Sequence, residues 1–354
     1  MLAMLSLVFG SVLLIAGADR LVTGASALAK RLGLSQLVIG LTVVAVGTST
    51  PELFVSAAGA LQGKTDLAVG NVVGSNIGNI LLILGMTGVL APLAVNPRIL
   101  SFDTPVMIAA AVMVAVLGID GSLSRVDGAI LLTCLMAYLW LSVRSAKSGG
   151  TGSPQDASAK PVTALLPSVV WLVVGLCLLG GGCQLVVSGA VELAQAAGLS
   201  ELVIGLTIVA VGTSLPEIVT SILAARRGET DLSVGNIVGS NILNVLAILG
   251  VSSMLTSEGL QVAEVALGFD IPVMIGVSIL AWPILWTHRT VTRLDAVILG
   301  TGYVLYVAAL IMSWENQLVV RAWYAALTAY AFCSAGVITI ELIPRRPKVA
   351  RQVE

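Results

Sequence analysis

Charge is what this sequence has least of. Only 10% of its 354 residues are Asp, Glu, Lys or Arg, against roughly 25% in a water-soluble domain. With 57% hydrophobic residues and a mean hydropathy of +1.02, the chain cannot cover a soluble surface with solvated groups. The 18 basic and 19 acidic residues nearly cancel, so no basic excess invites a nucleic acid. Four cysteines, Cys134, Cys177, Cys183 and Cys333, lie in apolar stretches without metal-ligand spacing. Neither a disulfide framework nor a zinc site is indicated, and they read as packing residues. The one histidine, His288, sits at a helix end beside Arg289 and cannot form a proton relay alone. GKT at 63–65 lacks the glycine of a phosphate loop, because Ala58 stands where it is required and no strand precedes it. No nucleotide-binding domain is present, so ATP-driven chemistry is disfavoured and no cofactor is implied.

Long hydrophobic runs are what the chain has in place of charge. A helix needs about 20 apolar residues to cross the hydrocarbon of a bilayer, and only helices or closed barrels satisfy their backbone there. The runs are far too long for barrel strands. They predict ten core spans at roughly 3–28, 36–60, 67–92, 102–119, 126–143, 163–190, 201–224, 232–255, 269–287 and 294–313, with an eleventh at about 322–341. The first span has no charged region before it, its first ionisable side chain being Asp19, and it outlasts a signal-peptide core, so it reads as a retained helix. Trp140, Trp171, Trp282, Trp286, Trp314 and Trp323 gather towards span ends, as an aromatic belt does at the interfaces of a lipid bilayer.

Lys and Arg then orient the chain, because they accumulate on the cytoplasmic side. With the N-terminus outside and eleven spans, 14 of the 18 fall inside, Lys64, Arg125 and Arg321 outside, and Arg20 within the first span. The polar linker 145–162 (SAKSGGTGSPQDASAKPV) is then cytoplasmic. It separates a first unit, 1–144, from a second, 163–313, which is followed by a C-terminal extension, 314–354. The expected location is the cell (inner) membrane.

The two units are copies. A shift of 165 residues lays Gln36–Gly85 over Glu201–Gly250 with 33 of 50 pairs identical. The match continues more weakly as AKRLGLS (29–35) over AQAAGLS (194–200), FDTPVMI (102–108) over FDIPVMI (269–275), and RVDGAILL (125–132) over RLDAVILG (293–300). Each copy holds five spans, and an odd number sends the second copy into the membrane from the opposite side. The fold class is therefore an all-α integral membrane protein of two inverted-topology repeats of five transmembrane helices. Such repeats build many secondary transporters, with the site near midplane at the repeat interface.

The best-matched segments carry the chemistry. AVGTSTPE (45–52) with GNVVGSNIGN (70–79) recurs as AVGTSLPE (210–217) with GNIVGSNILN (235–244). Each copy places one acid, Glu52 or Glu217, in the middle of an otherwise uncharged span. A carboxylate at that depth is costly and is normally paired, hydrated or functional. No Lys or Arg stands in the same span core, and two unpaired acids at equivalent depth point to a cation as the missing partner. A protonated structural glutamate is the bland alternative, and duplication at matching positions argues against it.

Thr48 and Ser49 lie four and three residues before Glu52, on one helix face. Pro51 clashes with the carbonyl of Gly47 and has no N–H, so the helix should kink there and free carbonyl oxygens. Pro216 and Gly212 repeat the arrangement. Ser75 and Asn79 are four apart, as are Ser240 and Asn244, while Gly70, Gly74, Gly235 and Gly239 allow close helix approach. Carboxylates, hydroxyls, amides and carbonyls suit a hard cation such as Ca2+, and no nitrogen or sulfur donor favours a softer metal.

With these doubled motifs on the page, the sequence resembles the Ca2+/cation antiporter superfamily, the sodium/calcium exchangers and their bacterial relatives. The resemblance covers all ten core spans. It implies that the second, third, seventh and eighth helices enclose the ions. By motif position it implies as ion ligands Thr48, Ser49, Glu52, Ser75 and Asn79, then Thr213, Ser214, Glu217, Ser240 and Asn244, with Ala45 and Ala210 through backbone oxygen. Some exchangers carry Asp where Asn79 or Asn244 stands here, so this chain lacks a third acid. It implies an antiporter rather than an enzyme, exchanging Ca2+ for Na+. H+/Ca2+ antiport through the same glutamates is the runner-up and a passive channel a weaker third. Elsewhere, Thr65–Asp66 and Thr230–Asp231 are expected to cap the third and eighth spans. Asp103 and Asp270 are expected to cap the fourth and ninth.

Overall fold

The computed structural model describes residues 2–148, 165–196, 210–286 and 289–313. Most of the 145–162 linker, residues 201–209 of the seventh expected span, His288, Cys333, and the expected eleventh helix with Trp314 and Trp323 lie outside the described residues. The chain runs through α1 (Leu2–Leu32), α2 (Gln36–Thr48), α3 (Thr50–Leu61), α4 (Thr65–Leu90), α5 (Ile99–Leu117) and α6 (Arg125–Ser148). It continues with α7 (Leu165–Ala196), α8 (Ala210–Thr213), α9 (Leu215–Arg226), α10 (Thr230–Leu255), α11 (Ala266–Trp286) and α12 (Arg293–Ser313). Eight of these are long and apolar enough to cross a membrane. The bent pair α2–α3 passes with them, which makes up to nine spans among the described residues. The expected seventh span is described only from Ala210 onwards, as α8 and α9.

Four two-residue strands make the inversion visible. β1 (Leu93–Ala94) and β3 (Leu260–Gln261) hold equivalent places in the two repeats, as do β2 (Ser122–Leu123) and β4 (Thr290–Val291). β1 pairs antiparallel with β4, Leu93 opposite Val291. β2 pairs antiparallel with β3, Leu123 opposite Leu260. Between β1 and β2 runs α5, 19 residues and so about 28 Å of helix. The counterpart strands β1 and β3 therefore lie at opposite ends of a membrane-length helix, which is what two inverted repeats require.

Both repeats start their last helix in the same way. Ser124 donates to Asp127 Oδ2 at 2.6 Å and Thr292 to Asp295 Oδ2 at 2.7 Å, each carboxylate also accepting the backbone N–H of the cap residue. These are capping boxes, S/T followed by an acid three residues on.

The expected caps elsewhere do not form. Lys64 and Glu229 stand at the cap positions of α4 and α10 without a side-chain capping bond, and Thr65 and Thr230 are already helical. Asp231 instead accepts from Asn96 Nδ2 at 3.2 Å. Asp103 and Asp270 fall inside their spans, because α5 and α11 begin four residues before each of them with a π-helical turn. Their carboxylates take side-chain donors from the last helix of the same repeat. The Tyr138 hydroxyl donates to Asp103 at 3.1 Å and the Tyr306 hydroxyl to Asp270 at 3.0 Å, while Arg98 also faces Asp103 at 3.5 Å.

α4 and α10 are the most buried spans and form the centre. α1 and α7 pack against each other along a seam of small residues seven apart. A Cβ on Gly17 would stand 2.9 Å from Gly175 O, one on Gly10 2.9 Å from Gly182 O, and one on Gly24 2.8 Å from Ser168 O. The paired positions sum to a constant, so the helices are antiparallel. Apolar lipid drives no helix association, and small residues let the backbones touch and gain dispersion. Gly239 does the same for α10 on α2, where a Cβ would stand 2.7 Å from Leu41 O. Gly70 and Gly74 meet nothing within 4 Å, and the repeat counterparts of Leu37 and Leu41, Leu202 and Leu206, lie outside the described residues.

Candidate cation-binding site

The chain breaks where Pro51 predicts. α2 ends at Thr48, Ser49 leaves helical geometry (φ −79°, ψ 8°), and α3 starts at Thr50 with its axis turned by 46°. Ser214 (φ −86°, ψ 6°) does the same before α9, with Pro216 in its first turn. Pro suits that position because its N–H would have no partner there. The break puts Glu52 and Glu217 in the first turns of α3 and α9, where exposed N–H groups and the helix dipole favour negative charge. Both are about 1% exposed. The Ala45 carbonyl is not bare as expected, since it accepts the Ser49 N–H at 3.0 Å and the Thr48 hydroxyl at 3.4 Å.

The break also redirects the serines. Spacing alone put Ser49 beside Glu52, but Ser49 Oγ donates to Glu217 Oε1 at 2.9 Å, and Ser214 Oγ donates to Glu52 Oε1 at 3.0 Å. Each repeat thus holds the other's acid. Ser214 also lies 3.4 Å from Ser75 Oγ. The second oxygen of each carboxylate, Oε2, is buried without a hydrogen-bond partner, and neither acid meets a basic side chain among the described residues.

α4 and α10 complete the wall. Asn71 donates to the Glu52 carbonyl at 3.2 Å and to Ser56 at 2.9 Å, and its counterpart Asn236 donates to Ser221 at 3.0 Å and accepts from Thr48 at 3.1 Å. Asn79 and Asn244 each open a π-helical turn, Asn79–Leu84 and Asn244–Leu249. Such widened turns recur at functional sites because they re-aim side chains that a regular helix would stack. The Oδ1 atoms of both are buried and unpartnered. Ser75, Ser240, Thr213 and Ser214 are buried beside them, and Ala210 begins α8.

All the predicted side chains except that of Ala210, which lies outside the described ones, are thus buried on the four helices at the repeat interface. Reading the motifs for their charges missed Asn71, Asn76, Asn236 and Asn241, although each is identical in the two copies and that identity was the available signal. Among the described residues no cluster of three or more His, Cys, Asp or Glu side chains exists. The site thus offers two carboxylates and otherwise neutral oxygens. Cys183 is a packing residue as read, its thiol donating to the Gly212 carbonyl at 3.1 Å.

Comparison with known proteins gives the family. The family model described as sodium/calcium exchanger protein matches residues 2–144 and 167–312. The chain belongs to that family and is a multi-pass membrane antiporter rather than an enzyme. It is 43% identical to the putative antiporter CaxA of Alkalimonas amylolytica, over 79% of this chain and 88% of that one. It is 33% identical to the sodium/calcium exchanger MaX1 of Methanosarcina acetivorans, over 86% and 97%. A solved structure of the sodium-calcium exchanger NCX_Mj, soaked with 2.5 mM Na+ and 0.1 mM Ca2+, superposes with a TM-score of 0.76 at 32% identity, covering 88% of this chain and 99% of that one.

Proposed function

We propose that the protein exchanges Ca2+ for Na+ across the cell membrane by alternating access, Glu52 and Glu217 being ligands that the two ions share. The observation that carries this is the crossed pair of serine–glutamate bonds. It fixes two buried carboxylates and leaves one oxygen of each uncommitted, with no basic group among the described residues to neutralise them. Two negative charges balance one Ca2+ or two Na+, so the ions compete for the same charge and their fluxes are coupled without ATP. A third Na+ would enter with net positive charge through neutral oxygens of Ala210, Ser75 and Ser240, the Ala45 carbonyl being taken by Ser49 and Thr48. Na+ is favoured over H+ because Asn79 and Asn244 supply amide oxygens where an acid would supply a titratable proton. In this reading the N-terminus lies outside, from the bias of Lys and Arg, and Na+ entering down its gradient drives Ca2+ out.

Vesicles loaded with Ca2+ test this when Na+ and pH gradients are imposed separately. Ca2+ movement driven by the Na+ gradient at fixed pH is the expected result. Movement driven by pH and indifferent to Na+ would establish proton coupling instead.

A further inference from the structure

Many bonds recur in the two repeats, and one that does not lies in the asparagine cluster between α4 and α10. Asn76 Nδ2 donates to the Asn241 carbonyl at 3.1 Å and Asn241 Nδ2 to the Asn76 carbonyl at 3.4 Å. The same two amides reach Met274 Sδ at 3.7 Å and Met107 Sδ at 3.5 Å. So far the pair is reciprocal. The remaining atom of each amide is not. Asn241 Oδ1 accepts from Asn79 Nδ2 at 2.9 Å. Its counterpart bond, from Asn244 Nδ2 to Asn76 Oδ1, is absent, and both of those atoms are buried without a partner. All four asparagines are 4% exposed or less. An orphaned donor and an orphaned acceptor, equivalent to a pair that is bonded in the other repeat, cost free energy here.

The Asn241–Asn79 bond has a direct consequence for the ion. An amide has one donor end and one acceptor end. With Nδ2 tied to Asn241, Asn79 keeps its Oδ1 free and buried, the orientation a cation ligand needs. Asn244 has no such tie, both ends of its amide being unpartnered. In a transporter built from inverted repeats, the states open to the two sides of the membrane arise as one repeat moves against the other around a fixed site, so the repeats exchange local conformations.

We infer that Asn76 and Asn241 are positioning residues of the ion site, Asn241 orienting the amide of Asn79 in the present state and Asn76 orienting that of Asn244 in the opposite one. Neither touches the ion. This rests on the reading of Asn79 and Asn244 as ion ligands.

The test is Ca2+ flux in right-side-out and inside-out vesicles, with half-saturation measured from each side. Asn241→Ala raises half-saturation about fivefold from one side, and Asn76→Ala does so from the other, the size expected from losing one orienting hydrogen bond. Adding Asn241→Ala to Asn79→Ala gives little further loss, since the residue acts through the one already removed. Equal effects from both sides, or fully additive ones, overturn the inference. If Asn241→Ala does not fold, Asn241→Ser removes the reach to Asn79 and retains a polar group. Unchanged half-saturation in Asn79→Ala and Asn244→Ala would instead remove the ligand reading itself, together with this inference.

Discussion

Ser49 donates a hydrogen bond at 2.9 Å to Glu217, which lies 168 residues further along the chain and in the other repeat. The acid of one repeat is thereby fixed by the broken helix of the other, and Ser214 returns the same bond to Glu52 at 3.0 Å. Such bonds to a charged acceptor are worth about 1.5–3 kcal/mol. Ser49→Ala and Ser214→Ala are each expected to raise the Ca2+ half-saturation of flux by about tenfold or more, and by similar factors. A large effect from one serine and none from the other would break the symmetry argued here.

The amides at Asn79 and Asn244 set the response to pH. Asn79→Asp or Asn244→Asp adds a third buried acid that must lose its proton before Ca2+ is held. Ca2+ flux in either variant should fall more steeply than wild type as pH drops, with a smaller change in its maximum at high pH. Flux measured against pH at saturating Na+ checks this.

The glycine seam between α1 and α7 makes a stability prediction with an internal control. A Cβ on Gly175 would stand 2.5 Å from Leu21 N and 2.8 Å from Gly17 O, whereas one on Gly181 meets nothing within 4 Å. Gly175→Ala should destabilise by about 1–3 kcal/mol, the cost of overpacking. Gly181→Ala should be close to neutral. Thermal unfolding in detergent compares them.

Sidedness is set by contacts that tie loops together. Asn96 meets Asp231 and Arg227 meets Asp19, so these four lie at one end of the bundle, while the Arg125 bond to the Thr256 carbonyl at 2.7 Å marks the other. With Cys134, Cys177, Cys183 and Cys333 replaced, a single cysteine at Lys64 or Arg125 should label from outside, and one at Arg227 only from inside. Labelling of the Arg227 position from outside would reverse the orientation.

The spans, the repeat and the two glutamates were legible because each is written locally, as apolar length, a fixed offset and a charge in an apolar run. What the sequence hid lies between the repeats. Spacing put Ser49 next to Glu52 on one helix face, and the 46° break, expected from Pro51 but not in its direction, turned it to Glu217. The π-helical turns at Asn79 and Asn244 carry no proline or glycine signature at their own positions. Asp103 looked like a cap because it opens an apolar run, but Ile99–Phe102 is already helical and Tyr138 supplies the donor.

The central claim is that Glu52 and Glu217 form one site for which Ca2+ and Na+ compete. Equilibrium binding of radioactive Ca2+ to the purified protein, titrated with Na+ at fixed pH, tests it most directly. Wild type should bind Ca2+ and release it as Na+ rises. Glu52→Gln and Glu217→Gln, which keep shape but remove half the charge, should lose Ca2+ binding while remaining folded. Ca2+ bound at wild-type affinity by either folded variant, or held by wild type regardless of Na+, would contradict the account.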